Sequence, residues 1–237
     1  MQRYFAKNKI DNELFLYDSD IHHIKNVMRY KESDKIEVVF NEKGYICIIK
    51  SLSPFKIEII DEIIESKELG VDLTVAVALV QEQKFDLIIQ KLTELGIKRI
   101  IPIKTERSIV KLDNTRIEKK YSRWNMICKE ASEQSKRTSI PVIENVMTLK
   151  ELIKENADLK LICSVNEKKQ FLDKYLKKDI KSIIFAIGPE GGFSNLEESL
   201  LLENGFEAVS LGARVMRVET AAIYVTSIIN YKYEGWL

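Results

Sequence analysis

The chain has 237 residues, 37 Lys and Arg against 36 Asp and Glu, and 45% hydrophobic side chains; this excludes a disordered or fibrous protein and suits one large domain or two smaller ones. No stretch approaches the roughly 18–20 apolar residues of a membrane helix: the run 71–80 is broken by Asp72, and Arg3, Lys7, Lys9 and Asp11 leave no room for a signal-peptide core. Cys47, Cys128 and Cys163 lie too far apart for a disulfide framework or a Cys-x-x-Cys metal site, so a reduced, cytosolic, metal-free protein is expected.

Residues 1–67 read mostly as β. A short strand is expected over 2–6 and a short helix over 18–29, capped by Asp18 or Ser19. Strands follow at 35–40, 44–53 and 55–64, separated by the turn residues 41–44 and Ser53-Pro54. Short strands on tight turns with one helix predict a small β-barrel, bounded by the charged stretch 65–70. The rhythm then changes to β-α-β. A buried-type strand spans 73–80, and Phe85, Ile88, Ile89, Leu92 and Leu95 recur at helical spacing before Gly96 ends that helix. Further strands are expected at 99–103, 161–164, 183–187 and 207–211. Helices are expected at 115–134, 195–204 and 219–231. This alternation predicts an α/β domain with a mostly parallel sheet.

Glycine is scarce, nine in all, yet Gly188, Gly191, Gly192 and Gly212 fall within 25 residues. The first three sit in Ile187-Gly188-Pro189-Glu190-Gly191-Gly192-Phe193-Ser194, between an expected strand and an expected helix. Loops at the C-terminal edge of parallel strands bind ligands in open α/β sheets, and glycine permits close backbone approach there. A plain tight turn would need fewer glycines. Ser194 with Glu197 forms a capping box. The pattern is neither a Walker loop nor Gly-x-Gly-x-x-Gly, which disfavours a nucleoside triphosphate or a dinucleotide.

A second cluster, residues 211–222, sets Arg214, Arg217, Glu219 and Thr220 among apolar neighbours at the start of the last helix. Arg217 and Glu219 need partners or a ligand, since buried charge is tolerated only when paired; a structural Arg–Glu pair is the alternative. A third cluster spaces Glu130, Gln134 and Arg137 four and three apart, one helix face if the helix persists. Cys128 and Cys163 read as core positions. His22 and His23 do not read as a metal pair, because adjacent helical residues face different sides. Residues 84–137 sum to +7 in a chain of net +1. Such a zone fits a polyanion partner, because phosphate neutralisation releases counterions; a solvated Lys-rich helix face is the alternative.

Several segments recur in one order along nearly the whole chain: Arg3-Tyr4-Phe5, His23 with Asn26-Val27-Met28-Arg29, the run from Gln90 to Gly96, Glu106-Arg107-Ser108, Arg123-Trp124, the run from Ala131 to Arg137, the glycine loop and the block from Leu211 to Ala222. Through them the chain resembles the RsmE-type methyltransferases of small-subunit ribosomal RNA, in the SPOUT superfamily. One departure stands at Gln81-Glu82-Gln83, where the family commonly has a Lys-Gly turn; a basic contact there would fall to Lys84.

The resemblance implies a PUA-like β-barrel RNA-binding domain over 1–69 and a SPOUT-type α/β methyltransferase domain over 70–237 tied in a trefoil knot, which chain physics alone disfavours. It further implies S-adenosyl-L-methionine as cofactor, N3 of one uridine in 16S ribosomal RNA as acceptor, small-subunit RNA or the assembled subunit as partner, and a homodimer. Cofactor contacts are expected from Ile187, Gly188, Pro189, Glu190, Gly191, Gly192, Leu211, Gly212, Met216, Arg217 and Thr220. Arg217 is the expected charge stabiliser and Glu219 its orienter or the base. RNA contacts are expected from Arg3, His23, Arg29, Lys91, Arg107, Arg123, Gln134 and Arg137, the last with Gln134 reaching across from the opposing subunit. The rival readings are a related knotted enzyme acting on another nucleotide and a non-catalytic RNA-binding module, whose glycine loop should have decayed.

Overall fold

The structure is a computed structural model that describes residues 1–65, 67–108 and 117–234. The chain divides into two compact units, Met1–Glu68 with Lys129–Ile140, and Leu69–Cys128 with Pro141–Leu237.

In the first unit β1 (Arg3–Phe5), β2 (Asn8–Ile10), β3 (Glu13–Phe15), β4 (Lys35–Phe40), β5 (Lys43–Leu52) and β6 (Phe55–Ile63) form one sheet in the order β1-β4-β5-β6-β3-β2. β1 runs parallel to β4 and the other pairings are antiparallel. Asn41 and Glu42 alone join β4 to β5, both left-handed at φ 48° and 61°; this turn follows the twist of a two-residue hairpin. Period-two alternation buries Ile36 and Val38 of β4 and Tyr45, Cys47 and Ile49 of β5, which pack with Tyr4, Leu14, Leu16, Ile24 and Ile57 as the core.

The helix expected over 18–29 is split. Asp18–His22 is α1, and the chain then widens over His23–Val27, where the Met28 N–H reaches the His23 carbonyl at 2.9 Å. It ends at Arg29, which is left-handed at φ 54°.

In the second unit β7 (Asp72–Ala78), β8 (Arg99–Lys104), β9 (Val142–Ile143), β10 (Met147–Thr148), β11 (Leu159–Cys163), β12 (Ser182–Ile187) and β13 (Glu207–Val209) pair in parallel throughout, in the order β10-β8-β7-β12-β11-β13 with β9 also on β8. Every β7 residue from Leu73 to Ala78 is buried, as a strand covered on both faces requires. The helices are α2 (Glu82–Glu94), α3 (Ile117–Gln134), α4 (Leu149–Leu152), α5 (Asn195–Glu203) and α6 (Val218–Glu234). Positions 115 and 116, where α3 was expected to begin, lie outside the described residues.

α2 buries Phe85, Ile88, Ile89 and Leu92 at helical spacing. It closes as expected at Gly96, φ 90°, with Ile97 N–H on the Leu92 carbonyl at 3.0 Å. Phe85 packs 4.7 Å from Trp124 of α3, which makes Trp124 a core residue. In the sheet, Cys163 pairs with Ile187 on one side and Val209 on the other. The C-terminal ends of β12, β11 and β13 are therefore level.

Candidate active site

Segments leaving those three strand ends surround one pocket. After β12 come Ile187, Gly188, Pro189, Glu190 and Gly192. Beyond β13 come Leu211, Gly212, Ala213, Arg214, Val215 and Met216, with Val218 and Ala221 of α6. The end of β11 adds Cys163, Ser164, Val165, Glu167 and Lys168. A pocket outside the carboxyl ends of adjacent parallel strands is where such sheets place ligands. Its apolar lining with a few polar groups suits an organic ligand.

Two glycines shape it differently. Gly212 is held at φ 109°, and no atom lies within 4 Å of where its Cβ would stand; a side chain there would be strained and would project into open space at the lining. At Gly188 a Cβ would come 2.9 Å from the Phe193 backbone nitrogen, so this glycine lets the loop fold on itself. Burial pushes the Cys163 thiol up to about 12, leaving it protonated and unreactive at neutral pH. Cys128 is in the core, as expected, whereas Cys163 faces the pocket.

The glycine loop is tied down from several directions. Lys84 Nζ lies 2.6 Å from Glu190 Oε1, and this hydrogen bond holds the Glu190 carboxyl below its usual range. Beside the altered turn at 81–83, Lys84 is therefore engaged with the glycine loop itself. Arg107 donates to the carbonyls of Gly191 and Phe193 at 2.7 and 3.3 Å. The Ser194–Glu197 capping box forms, and the Glu197 carboxylate also accepts the Glu106 N–H at 2.7 Å. Ser164 donates to Glu198, as does Asn166 Nδ2 at 2.9 Å.

Of the cofactor residues expected from sequence, Gly191, Arg217 and Thr220 stand off the pocket lining. Gly191 lies against Arg107, and Arg217 and Thr220 are exposed. Among the described residues Arg217 has no side-chain partner, so the alternative Arg217–Glu219 ion pair is not formed. Glu219 is half-buried and its Oε2 is sequestered without a hydrogen-bond partner. The segment after β11 was missed. Its signal was nonlocal: that strand is the parallel neighbour of the one carrying the glycine loop.

Two expected RNA contacts are structural instead. Arg3 is 3% exposed, with Nε 2.9 Å from Glu37 and Nη1 donating to the Lys136 and Arg137 carbonyls. Arg137 is 2% exposed and donates to Glu68 at 2.6 and 3.1 Å. The cause is the end of α3. Lys136 turns left-handed at φ 63°, and Arg137 N–H bonds back to the Ser132 carbonyl at 3.0 Å. Arg137 therefore leaves the face of Glu130 and Gln134, which are exposed. Burial pushes the Glu68 carboxyl up, but the Arg137 guanidinium, the Ser139 hydroxyl and the Thr138 N–H together hold it below its usual range.

The other candidates differ in freedom. Arg29 and Gln134 are exposed, and His23 Nδ1 is 3.0 Å from the Tyr4 hydroxyl. Lys91 pairs with Glu94 at 2.8 Å, and Arg123 pairs with Glu82 at 2.6 Å and with Asp86. The described part of the positive segment 84–137 is extensively paired. Lys98 meets Asp72, Arg99 meets Glu144 and Glu155, Lys120 meets Glu82, and Lys129 meets Asp20 and Glu133. It is not one free basic patch.

Among the described residues no helix is long and apolar enough to cross a membrane, and no group of three or more His, Cys, Asp or Glu is placed to hold a metal. The family model of an RNA methyltransferase domain matches residues 67–230, and that of an RNA methyltransferase PUA domain matches residues 16–62. Ribosomal RNA small subunit methyltransferase E of Bacillus subtilis (strain 168) is 34% identical over 252 residues, covering 99% of this chain and 98% of its own. The crystal structure of a ribosomal RNA small subunit methyltransferase E from Neisseria gonorrhoeae, bound to S-adenosyl methionine, is 28% identical, with a TM-score of 0.89 over 98% of both chains. A methyltransferase of Legionella pneumophila, solved with the cofactor SAM bound, is 28% identical with a TM-score of 0.88, over 97% of this chain and 96% of that one. With a methyltransferase-domain match over most of its length and a relative above 30% identity along nearly all of it, this chain belongs to the ribosomal RNA small subunit methyltransferase E family.

Proposed function

We propose that this protein transfers the methyl group of S-adenosyl-L-methionine to N3 of a uridine in 16S ribosomal RNA, free or in the assembled small subunit. The observation that carries this reading is the pocket at the level ends of β11, β12 and β13, with the open cradle at Gly212. The backbone around Gly188 and Gly212, with Leu211, Met216 and the Cys163–Val165 segment, would hold the cofactor. When bound it supplies a methyl group on a sulfonium leaving group.

N3 of uridine is an imide nitrogen that carries its proton at neutral pH, and the proton must leave before or as the methyl arrives. The residues therefore need to favour the base anion. Arg217 follows the pocket residue Met216, and its guanidinium has no partner among the described residues. It is suited to meet negative charge on O2 or O4 of the uracil. Glu219, with an unsatisfied buried oxygen, is suited to orient that guanidinium or to take the proton. The target base has to leave its stack to reach them, as for other enzymes acting on bases.

The finer features of the resemblance belong to the same proposal. A trefoil knot in the methyltransferase unit is supported by the match to the RNA methyltransferase domain family. A PUA-like barrel is supported by the mostly antiparallel first sheet. A homodimer is supported by the exposure of Leu196, Val215, Tyr224 and Tyr231, and a cytoplasmic setting by the RNA substrate. The test is reconstitution: purified chain, methyl-labelled cofactor and small subunits lacking the mark, followed by nucleoside analysis. Label in N3-methyluridine is the expected result. Label in another nucleoside would assign a different acceptor, and binding without transfer would make the chain a non-catalytic RNA binder.

A further inference from the structure

Arg107 was expected at the RNA, yet its guanidinium is engaged elsewhere. Nη1 donates to the Gly191 carbonyl at 2.7 Å and to the Phe193 carbonyl at 3.3 Å. Among the described residues no carboxylate pairs with it. The stem of the side chain lies across Gly191, where a Cβ would stand 3.3 Å from Arg107 Cδ and 3.7 Å from its Cβ. Gly191 has no positive φ, so its backbone does not demand glycine; a side chain there would instead press on Arg107, which would have to give by a few tenths of an ångström.

The turn that carries Arg107 is itself fixed. The Thr105 and Ser108 hydroxyls are 2.7 Å apart, Ser108 N–H bonds to the Thr105 carbonyl at 3.2 Å, and Glu106 N–H reaches Glu197 in the capping box at 2.7 Å. A rigid turn at the end of β8 therefore grips the glycine loop at two carbonyls and at the cap of the helix that follows.

We propose that Arg107 is a positioning residue, a bracket that holds the loop from Gly188 to Phe193 in the form that receives the cofactor. This rests on the reading of the pocket as the S-adenosylmethionine site. Without the bracket the loop samples other conformations, and apparent affinity falls by the fraction still competent to bind. Lys84 on Glu190, at 2.6 Å, is a second tether on the same loop.

Calorimetry of S-adenosylmethionine binding to the full chain tests it, with thermal unfolding as the check on folding. Arg107→Ala should bind about tenfold more weakly, and Arg107→Lys should regain part of the loss. Gly191→Ala should weaken binding by displacing Arg107. The double variant Arg107→Ala/Gly191→Ala should be no weaker than Arg107→Ala alone, because the displaced group is gone. In methyl transfer, the KM for cofactor should rise while kcat stays near the parental value. Should Arg107→Ala fail to fold, Arg107→Lys and Gly191→Ala carry the comparison. Unchanged cofactor affinity overturns the proposal, with or without loss of RNA binding, and so do defects that simply add in the double variant. A parental chain that binds no cofactor would overturn the reading of the pocket itself.

Discussion

Among the described residues Arg217 has no ion-pair partner, whereas Arg3, Arg99, Arg123 and Arg137 are all ion-paired. If Arg217 supplies the charge that favours the uracil anion, Arg217→Ala should slow methyl transfer by about 10²–10³ and leave cofactor affinity nearly intact. Its residual rate should rise with pH as bulk deprotonation of the base takes over. Single-turnover assays across pH at saturating cofactor measure this, and a parental rate in the variant would refute it. Gly212→Val should show the opposite split. The open space at its Cβ position makes it a binding defect, with cofactor affinity lost and no recovery at high pH, while the strain of a β-branched residue at φ 109° lowers the thermal transition. Parental affinity in Gly212→Val would remove that loop from the site. Position 191 makes a poorer probe of the pocket, since a side chain there meets Arg107 first.

Elements whose signals are local were legible in the sequence. Near-continuous apolar runs between turn residues marked β5 and β6, the apolar stripe and Gly96 marked α2, and the Ser194–Glu197 box marked the start of α5. The β2–β3 hairpin was not legible, because three-residue strands are too short to display a period. The end of α3 escaped for a different reason: its left-handed residue is Lys136, where sequence rules look for glycine. That ending buries Arg137 against Glu68, and the pair makes a testable contribution to the first unit. Glu68 is held below its usual range, so its stabilisation is present above the unfolded carboxyl value of about 4.3 and is lost as pH falls through the lower folded value. Glu68→Gln should cost about 3 kcal/mol at neutral pH, because it strands a buried guanidinium. The gap to the parental chain should narrow and then close as pH is taken from neutral to below the lowered folded value of Glu68. Denaturant titrations at the two pH values decide it; an equal gap at both would mean that the charge of Glu68 is not what stabilises.

At the scale of the molecule, two features depend on pairings that no sequence window contains. One is the third wall of the pocket, which comes from β11 because that strand lies between β12 and β13. The other is charge. The segment summing to +7 draws its partners from acids as distant as Asp20, Asp72 and Glu144, so linear charge overstates the free positive surface. The glycine loop and the Leu211–Met216 block remained legible because each is continuous in sequence and follows its own strand. Together these features form the proposed methyl-transfer site, with one imide nitrogen in ribosomal RNA as the proposed acceptor. The most direct measurement is mass mapping of methyl groups on 16S ribosomal RNA from cells with and without this gene, complemented by the parental chain or by Arg217→Ala. The expected result is one uridine that loses its N3-methyl group without the gene and regains it with the parental chain but not with the variant. An N3-methyluridine that persists in the absence of the gene would contradict the proposed function.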